Sequence, residues 1–159
     1  MYAAYAAAVL AFAYAAVSVY WGLGGRLLLD TVGGSIEDTA RRGGPAPAVL
    51  GLGAAVLKAG GGLVALALVR PWGRAVPRGW LLGCSAVASA VLVLYGGLLV
   101  VVGALVLSGG IHPAGAVDRT ALRWHVMVWD LWFLVWGVLL TLATAGVWRA
   151  PATGGRAAR

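Results

Sequence analysis

Residues 79–107 read GWLLGCSAVASAVLVLYGGLLVVVGALVL, and no side chain among them is charged. The uncharged run continues to Val117. A helix needs about 20 apolar residues to cross a hydrocarbon core of roughly 30 Å. A run this long with no polar face has nothing to turn toward water, so it is expected to span a membrane. The same pattern recurs on both sides of it. Met1 to Gly25 holds no charged side chain, and Pro45 to Val69 holds one, Lys58. Trp124 to Trp148 holds only Asp130 and the titratable His125. Four spans follow, at about 3–25, 48–69, 80–107 and 122–148. The expected fold is all-α, an integral membrane four-helix bundle forming one domain over 1–150, with a disordered tail at 151–159. With 62% hydrophobic and 11% charged residues, the chain lacks the charge that a soluble domain needs to cover its surface.

The net charge of +7 is better explained by topology than by nucleic acid, because the arginines sit in loops and tails and not on one face of a domain. Arg70, Arg74 and Arg78, with Arg149, Arg156 and Arg159, stand without acids. By the positive-inside rule they lie in the cytoplasm, which puts both termini there. Arg26, Arg41, Arg42, Arg119 and Arg123 share the opposite side with Asp30, Glu37, Asp38 and Asp118. The expected location is the bacterial inner membrane. Residues 1–25 lack the basic start of a signal peptide and exceed an h-region, so they read as a retained first helix.

Several motifs fail on context. Gly51-Leu-Gly53 has no strand before it and sits in a span, so it is no dinucleotide fingerprint. Gly60-Gly-Gly62 lacks the Lys-Ser/Thr of a P-loop, and Ser85 lacks a GxSxG frame. Cys84 is the one cysteine, which excludes an internal disulfide or a CxxC redox pair. His112 and His125 have no metal-ligand or haem spacing, so no metal site is assigned and no cofactor is named. Between the first two spans, Leu27-Leu-Leu29 is expected to fold back on the bundle mouth. Ser35-Ile-Glu-Asp38 has capping-box spacing, which predicts a short surface helix through Arg42.

Depth gives the first functional signal. Lys58 lies ten residues into the second span and Asp130 eight into the fourth, both about 12–15 Å below the outer surface at 1.5 Å per residue. Alone, each would cost about 2.5–3.5 kcal/mol on insertion scales, so they are expected to pair. Helical spacing puts Gly51, Ala55, Lys58 and Gly62 on one face, and Arg123, Asp130, Gly137 and Thr141 on another. Ser85, Ser89, Gly96 and Gly103 form a third small-residue stripe. His125 falls with Trp129, Trp132 and Trp136 on a separate face, expected to look toward lipid, a partner or an apolar ligand. The Lys58–Asp130 pair admits two readings, registry glue or functional site.

The strings Tyr20-Trp-Gly-Leu-Gly-Gly25, Leu29-Asp-Thr-Val-Gly-Gly34, Leu57-Lys-Ala-Gly-Gly-Gly62, Val69-Arg-Pro-Trp-Gly73 and Ala121-Leu-Arg-Trp-His125, with Trp129-Asp130, cover nearly the whole chain. Together they resemble a family of small bacterial four-helix membrane proteins, domain-of-unknown-function family 3995. The resemblance implies a four-helix membrane fold and brings no activity, substrate or catalytic residue.

The expected site is an outward-facing polar pocket for a small amphipathic or lipid-like molecule. Asp130 and His125 would transfer protons, with Lys58 setting the charge state of Asp130. Arg123 would hold an anionic head group, with Arg26, Asp30, Tyr20 and Trp21 around it. The alternative is a non-enzymatic accessory subunit, docking its tryptophan face on a larger membrane protein or on another copy. A transporter ranks third, since no inverted repeat is evident. Whether the protein is an enzyme is not readable at this stage. Membrane lipids are expected neighbours and nucleic acid is not.

Overall fold

A computed structural model describes residues 1–150; the expected disordered tail lies outside them. The helices are α1 (Tyr2–Gly22), α2 (Gly34–Arg42), α3 (Pro45–Ala67), α4 (Arg78–Leu107), α5 (Arg119–Trp124) and α6 (Asp130–Arg149). A π-helical turn, His125–Trp129, joins α5 to α6. The stretches Tyr2–Gly22, Pro45–Ala67, Arg78–Leu107 and Arg119–Arg149 are long and apolar enough to cross a membrane, and mark the chain as a membrane protein. They match the expected spans to within a few residues, and local chemistry sets their ends. The first helix stops at Gly22, earlier than expected, because Gly24 takes a left-handed φ of 91° and the Gly25 amide bonds back to the Tyr20 carbonyl. Proline opens α3 at Pro45, where its missing N–H costs nothing. Asp118 caps α5 by accepting from the amides of Thr120 and Ala121.

Packing joins α1 to α3, α4 to α6, and α1 to α6, while α3 and α4 barely touch each other. Lipid tails are as apolar as leucine, so membrane helices associate where small residues let their backbones come close. Ala4, Ala7, Ala8, Ala11 and Ala15 give α1 such a face, and all are buried. Trp136 and Leu140 of α6 join the core built on these alanines. At the other end of α1, Gly22 meets Gly51 so closely that a Cβ on Gly51 would lie 2.5 Å from the Gly22 Cα. In α4 the buried residues are the expected stripe, Ser85, Ser89, Gly96 and Gly103. A Cβ on Gly96 would meet the α6 backbone at Leu134, and one on Gly137 would meet Val93 of α4. Large side chains turn outward, with Leu57 79% and Leu94 72% exposed, as lipid-facing surfaces require.

Two arginines read as topology markers also close helix ends. Arg78 Nη2 donates to the carbonyls of Val147, Trp148 and Ala150, at 2.8, 3.4 and 2.8 Å. Arg119 Nη2 donates to the Leu107 carbonyl at 3.2 Å. These carbonyls lie at helix C-termini, where most lack an intrahelical donor, and the cation also suits the negative end of the helix dipole. Arg78→Ala is therefore expected to lower stability by about 1 kcal/mol, with Arg78→Lys recovering part of it, as read from unfolding in mixed micelles.

Of Leu27-Leu28-Leu29, expected to fold back on the bundle mouth, Leu29 alone is buried, at 2% exposure, while Leu27 and Leu28 are exposed. Leu28 holds a left-handed φ of 60°, a conformation that costs a branched residue on the order of 1 kcal/mol. Bonds on either side hold it there. Trp21 Nε1 donates to the Leu27 carbonyl at 3.0 Å, the Leu27 amide donates to the Tyr20 hydroxyl at 3.1 Å, and Thr31 Oγ1 donates to the Leu28 carbonyl at 2.6 Å. The surface helix α2 also forms, but not through a capping box. It begins at Gly34 with Gly33 at the cap, so Ser35 already lies inside the first turn and caps nothing. Glu37 instead pairs with Arg41 at 2.6 Å. Gly33 and Gly34 at the start of α2, and Gly43 and Gly44 after it, all have positive φ, which lets the chain turn sharply into and out of this helix.

Candidate ligand cavity

A cavity of about 360 Å³ opens at the end of the bundle where α1 stops and α3 starts. Its walls are Tyr14, Ser18 and Trp21 of α1, Leu50, Ala54 and Lys58 of α3, and Phe133 of α6. Ile36, Thr39 and Ala40 of α2 roof it, with Leu29 and Val32 beside them. Tyr95 is the one α4 residue in the lining and is half exposed. The wall is mostly apolar, with Ser18, Thr39, Lys58, His125 and Asp130 as its polar side chains besides the tyrosines and tryptophans.

The π turn brings two of them together. In a regular α-helix, residues five apart point about 140° away from each other, which is why His125 and Asp130 were expected on different faces. Here the Asp130 amide bonds to the His125 carbonyl, five residues back. The wider turn stacks residue i over i+5. His125 Nδ1 consequently lies 3.2 Å from Asp130 Oδ1, and Asp130 is buried. His125 Nε2 lies 2.9 Å from the Val32 carbonyl.

These two contacts fix the proton count. A carbonyl only accepts, so Nε2 must carry hydrogen. A bond between Nδ1 and Oδ1 then needs one further proton, on either the imidazole or the carboxyl group. Both placements leave the pair neutral overall. The dyad therefore holds one transferable proton and adds no net charge to the cavity.

Lys58 does not pair with Asp130. Among the described residues the ion pairs are Glu37–Arg41 and His125–Asp130. Lys58 Nζ donates to Ser18 Oγ at 2.7 Å and sits 3.5 Å from the centroid of the Tyr14 ring, a cation–π arrangement. Two causes separate the expected partners. The π turn gives Asp130 a basic group on its own helix, and α3 packs on α1, so Lys58 meets Ser18 and Tyr14 first. Both groups still line the same cavity.

The tryptophan face turns inward and not toward lipid, and Trp129 lines the cavity. Trp129 is 4% and Trp136 3% exposed. Trp129 Nε1 donates to Thr31 Oγ1 at 3.1 Å, and its ring packs 5.2 Å from Trp21 and 5.9 Å from Tyr14. Trp132 Nε1 donates to the Leu10 carbonyl at 3.1 Å. Trp136 lies over Gly61 of α3. The alanine face of α1 and the glycines of α3 leave room for indoles that larger side chains would exclude.

Of the expected site residues, Lys58, His125, Asp130 and Trp21 line the cavity. Arg26, Asp30 and Arg123 do not; all three are exposed at the ends of their segments. Long arginine side chains at a span's edge reach toward the polar interface. Tyr20 is 46% exposed and serves the Leu27 clamp. Ser18, Val32 and Phe133 escaped the sequence reading. A lone serine four residues after a tyrosine, in an alanine-rich span, is the one signal that pointed to Ser18. A backbone carbonyl such as that of Val32 leaves none.

The family model described as "Protein of unknown function (DUF3995)" matches residues 11–140, which take in the second and third spans, most of the fourth, the second half of the first and the whole π turn. The chain belongs to the DUF3995 family. No curated protein and no solved structure matches it. The matched stretch of this DUF3995 protein carries Ser18, Lys58, His125 and Asp130 of the cavity lining.

Proposed function

We propose that this protein binds a small amphipathic, lipid-like molecule in the cavity between α1, α3 and α6. The observation that carries this reading is the lining itself. Tyr14, Trp21, Leu50 and Phe133 present apolar surface, while two polar pairs, Lys58 with Ser18 and His125 with Asp130, line the same cavity. About 360 Å³ lies within the range of small-molecule sites, roughly 300–1,000 Å³. A fully polar solute would leave the aromatic wall unfilled, and a hydrocarbon would offer the polar pairs no partner. An amphiphile satisfies both. Beyond binding, the His125–Asp130 contact gives the site a pair suited to proton transfer.

The reading places the cavity at the outer leaflet of the inner membrane, with Arg70, Arg74 and Arg78 in the cytoplasm. In a Cys84→Ser background, a membrane-impermeant maleimide is expected to label His112→Cys in intact cells and Arg74→Cys only after permeabilisation. The reverse pattern would invert the topology. For the ligand, protein purified in a non-ionic detergent is extracted and the extract analysed by mass spectrometry. An amphiphile held at near-equimolar amount, and lost on Ala54→Trp, which fills the cavity, is the expected result. An extract no different from that of the Ala54→Trp protein would sink the reading.

A further inference from the structure

We propose that the molecule taken by this cavity is an acidic amphiphile, seated by its anionic headgroup on Lys58, with its chain leaving between α3 and α4. This deepens the binding reading above and rests on it.

The charges around the cavity carry the headgroup half. Its lining holds one carboxyl group, Asp130, and that group is bonded to His125. With the Val32 carbonyl on Nε2, the dyad is neutral wherever its proton sits. Asp30, Glu37 and Asp38 do not line the cavity. Lys58 is therefore the net charge of the site, and among the described residues no carboxylate lies within ion-pair distance of it. Its two partners, the Ser18 hydroxyl and the Tyr14 ring, are neutral. An ammonium has three donors, and Ser18 takes one of them. A cation inside a membrane protein ordinarily carries a counter-charge, because one left in low dielectric is costly. A phosphate or carboxylate at Nζ supplies it. A zwitterionic headgroup would bring a second cation into a site whose net charge is already the Lys58 ammonium.

Packing carries the chain half. Three sides of the cavity are closed, by the α1–α3 contact, the α1–α6 contact and the α2 roof. Between α3 and α4, which barely touch, the lining thins to Tyr95, itself half exposed. Leu57 and Leu94, on those two helices, face outward. An alkyl chain leaving by this side passes from Phe133 and the ring of Tyr95 toward the outward-facing Leu57 and Leu94.

Thermal and native-mass titrations of the protein in a maltoside detergent test both halves. The probes are lysophosphatidic acid, lysophosphatidylcholine and monoacylglycerol of one chain length, and inorganic phosphate. Lysophosphatidic acid is expected to bind about tenfold or more tightly than the other two lipids, a difference of about 1.4 kcal/mol. Phosphate alone is expected to bind far more weakly than any of the lipids. Lys58→Gln should erase the headgroup preference and Lys58→Arg should keep it. Equal binding of the three lipids, or a preference that survives in Lys58→Gln, overturns the assignment of the anion to Lys58. Phosphate matching lysophosphatidic acid overturns the chain path and points to a soluble anion. The comparison of lipids on the unaltered protein decides the headgroup question even if Lys58→Gln does not fold. Binding of none of the four would overturn the underlying reading as well, which separates the two failures.

Discussion

Gly51→Val is expected to cost this protein about 3 kcal/mol or more, while Gly53→Val, two residues along the same helix, should stay within about 0.5 kcal/mol. The difference lies in what a side chain would meet. At Gly51 a Cβ would stand 2.5 Å from the Gly22 Cα and 2.8 Å from the Ser18 carbonyl oxygen, whereas at Gly53 nothing lies within 4 Å. Backbone cannot move aside as a flexible side-chain end can, so α1 and α3 must part. Parting them also draws Lys58 from Ser18 and opens the cavity wall. The Gly51 variant should thus lose amphiphile binding together with stability, and the Gly53 variant should keep both. Unfolding in mixed micelles and ligand titration on the same samples read the two effects. Equal stability of both variants would mean that α1 and α3 do not pack through Gly22 and Gly51.

The second large effect concerns the dyad. Asp130→Ala should cost about 2 kcal/mol, below the roughly 3–5 kcal/mol typical of breaking a fully buried pair, because the His125 side chain is one-third exposed. Asp130→Asn keeps a group able to bond Nδ1 and should cost about half as much. Lys58→Met should be close to neutral in stability or slightly favourable, since it removes a cation that has no carboxylate partner and leaves only a hydroxyl behind. A Lys58–Asp130 pair would make the two sites equally costly, so the contrast between Asp130→Ala and Lys58→Met separates the observed arrangement from the one that depth alone suggests.

That contrast also shows how far the sequence could be read. The spans were legible because charge is nearly absent from them, and a missing charge has only one cheap explanation over 20 residues. The stripes Gly51–Gly62 and Ser85–Gly103 were legible because α3 and α4 are regular, so helical spacing maps directly to a face. Matched depth suggested a Lys58–Asp130 pair; the two residues line one cavity without pairing. Depth fixes height and not direction, however, and the direction of His125 depends on the π turn. A π turn is a change in backbone bonding from i→i+4 to i→i+5. Nothing in His125-Val-Met-Val-Trp129 requires it. Uniform helical spacing therefore separated His125 from Asp130 and turned the tryptophans outward. The arginines misled for another reason. Arg26 and Arg123 look like ligand-binding groups because they stand near the site in sequence, but a flexible cation at a span's edge is most stable in the interface.

The central claim is that Asp130 belongs to His125 and that Lys58 is left without a carboxylate. Two double-mutant cycles sharing Asp130→Asn, one with His125→Gln and one with Lys58→Met, test it most directly, measured as unfolding free energy in the same micelles. The predicted coupling is about 1 kcal/mol or more between His125 and Asp130, and less than half of that between Lys58 and Asp130. A Lys58–Asp130 coupling equal to or larger than the His125–Asp130 coupling would contradict the account.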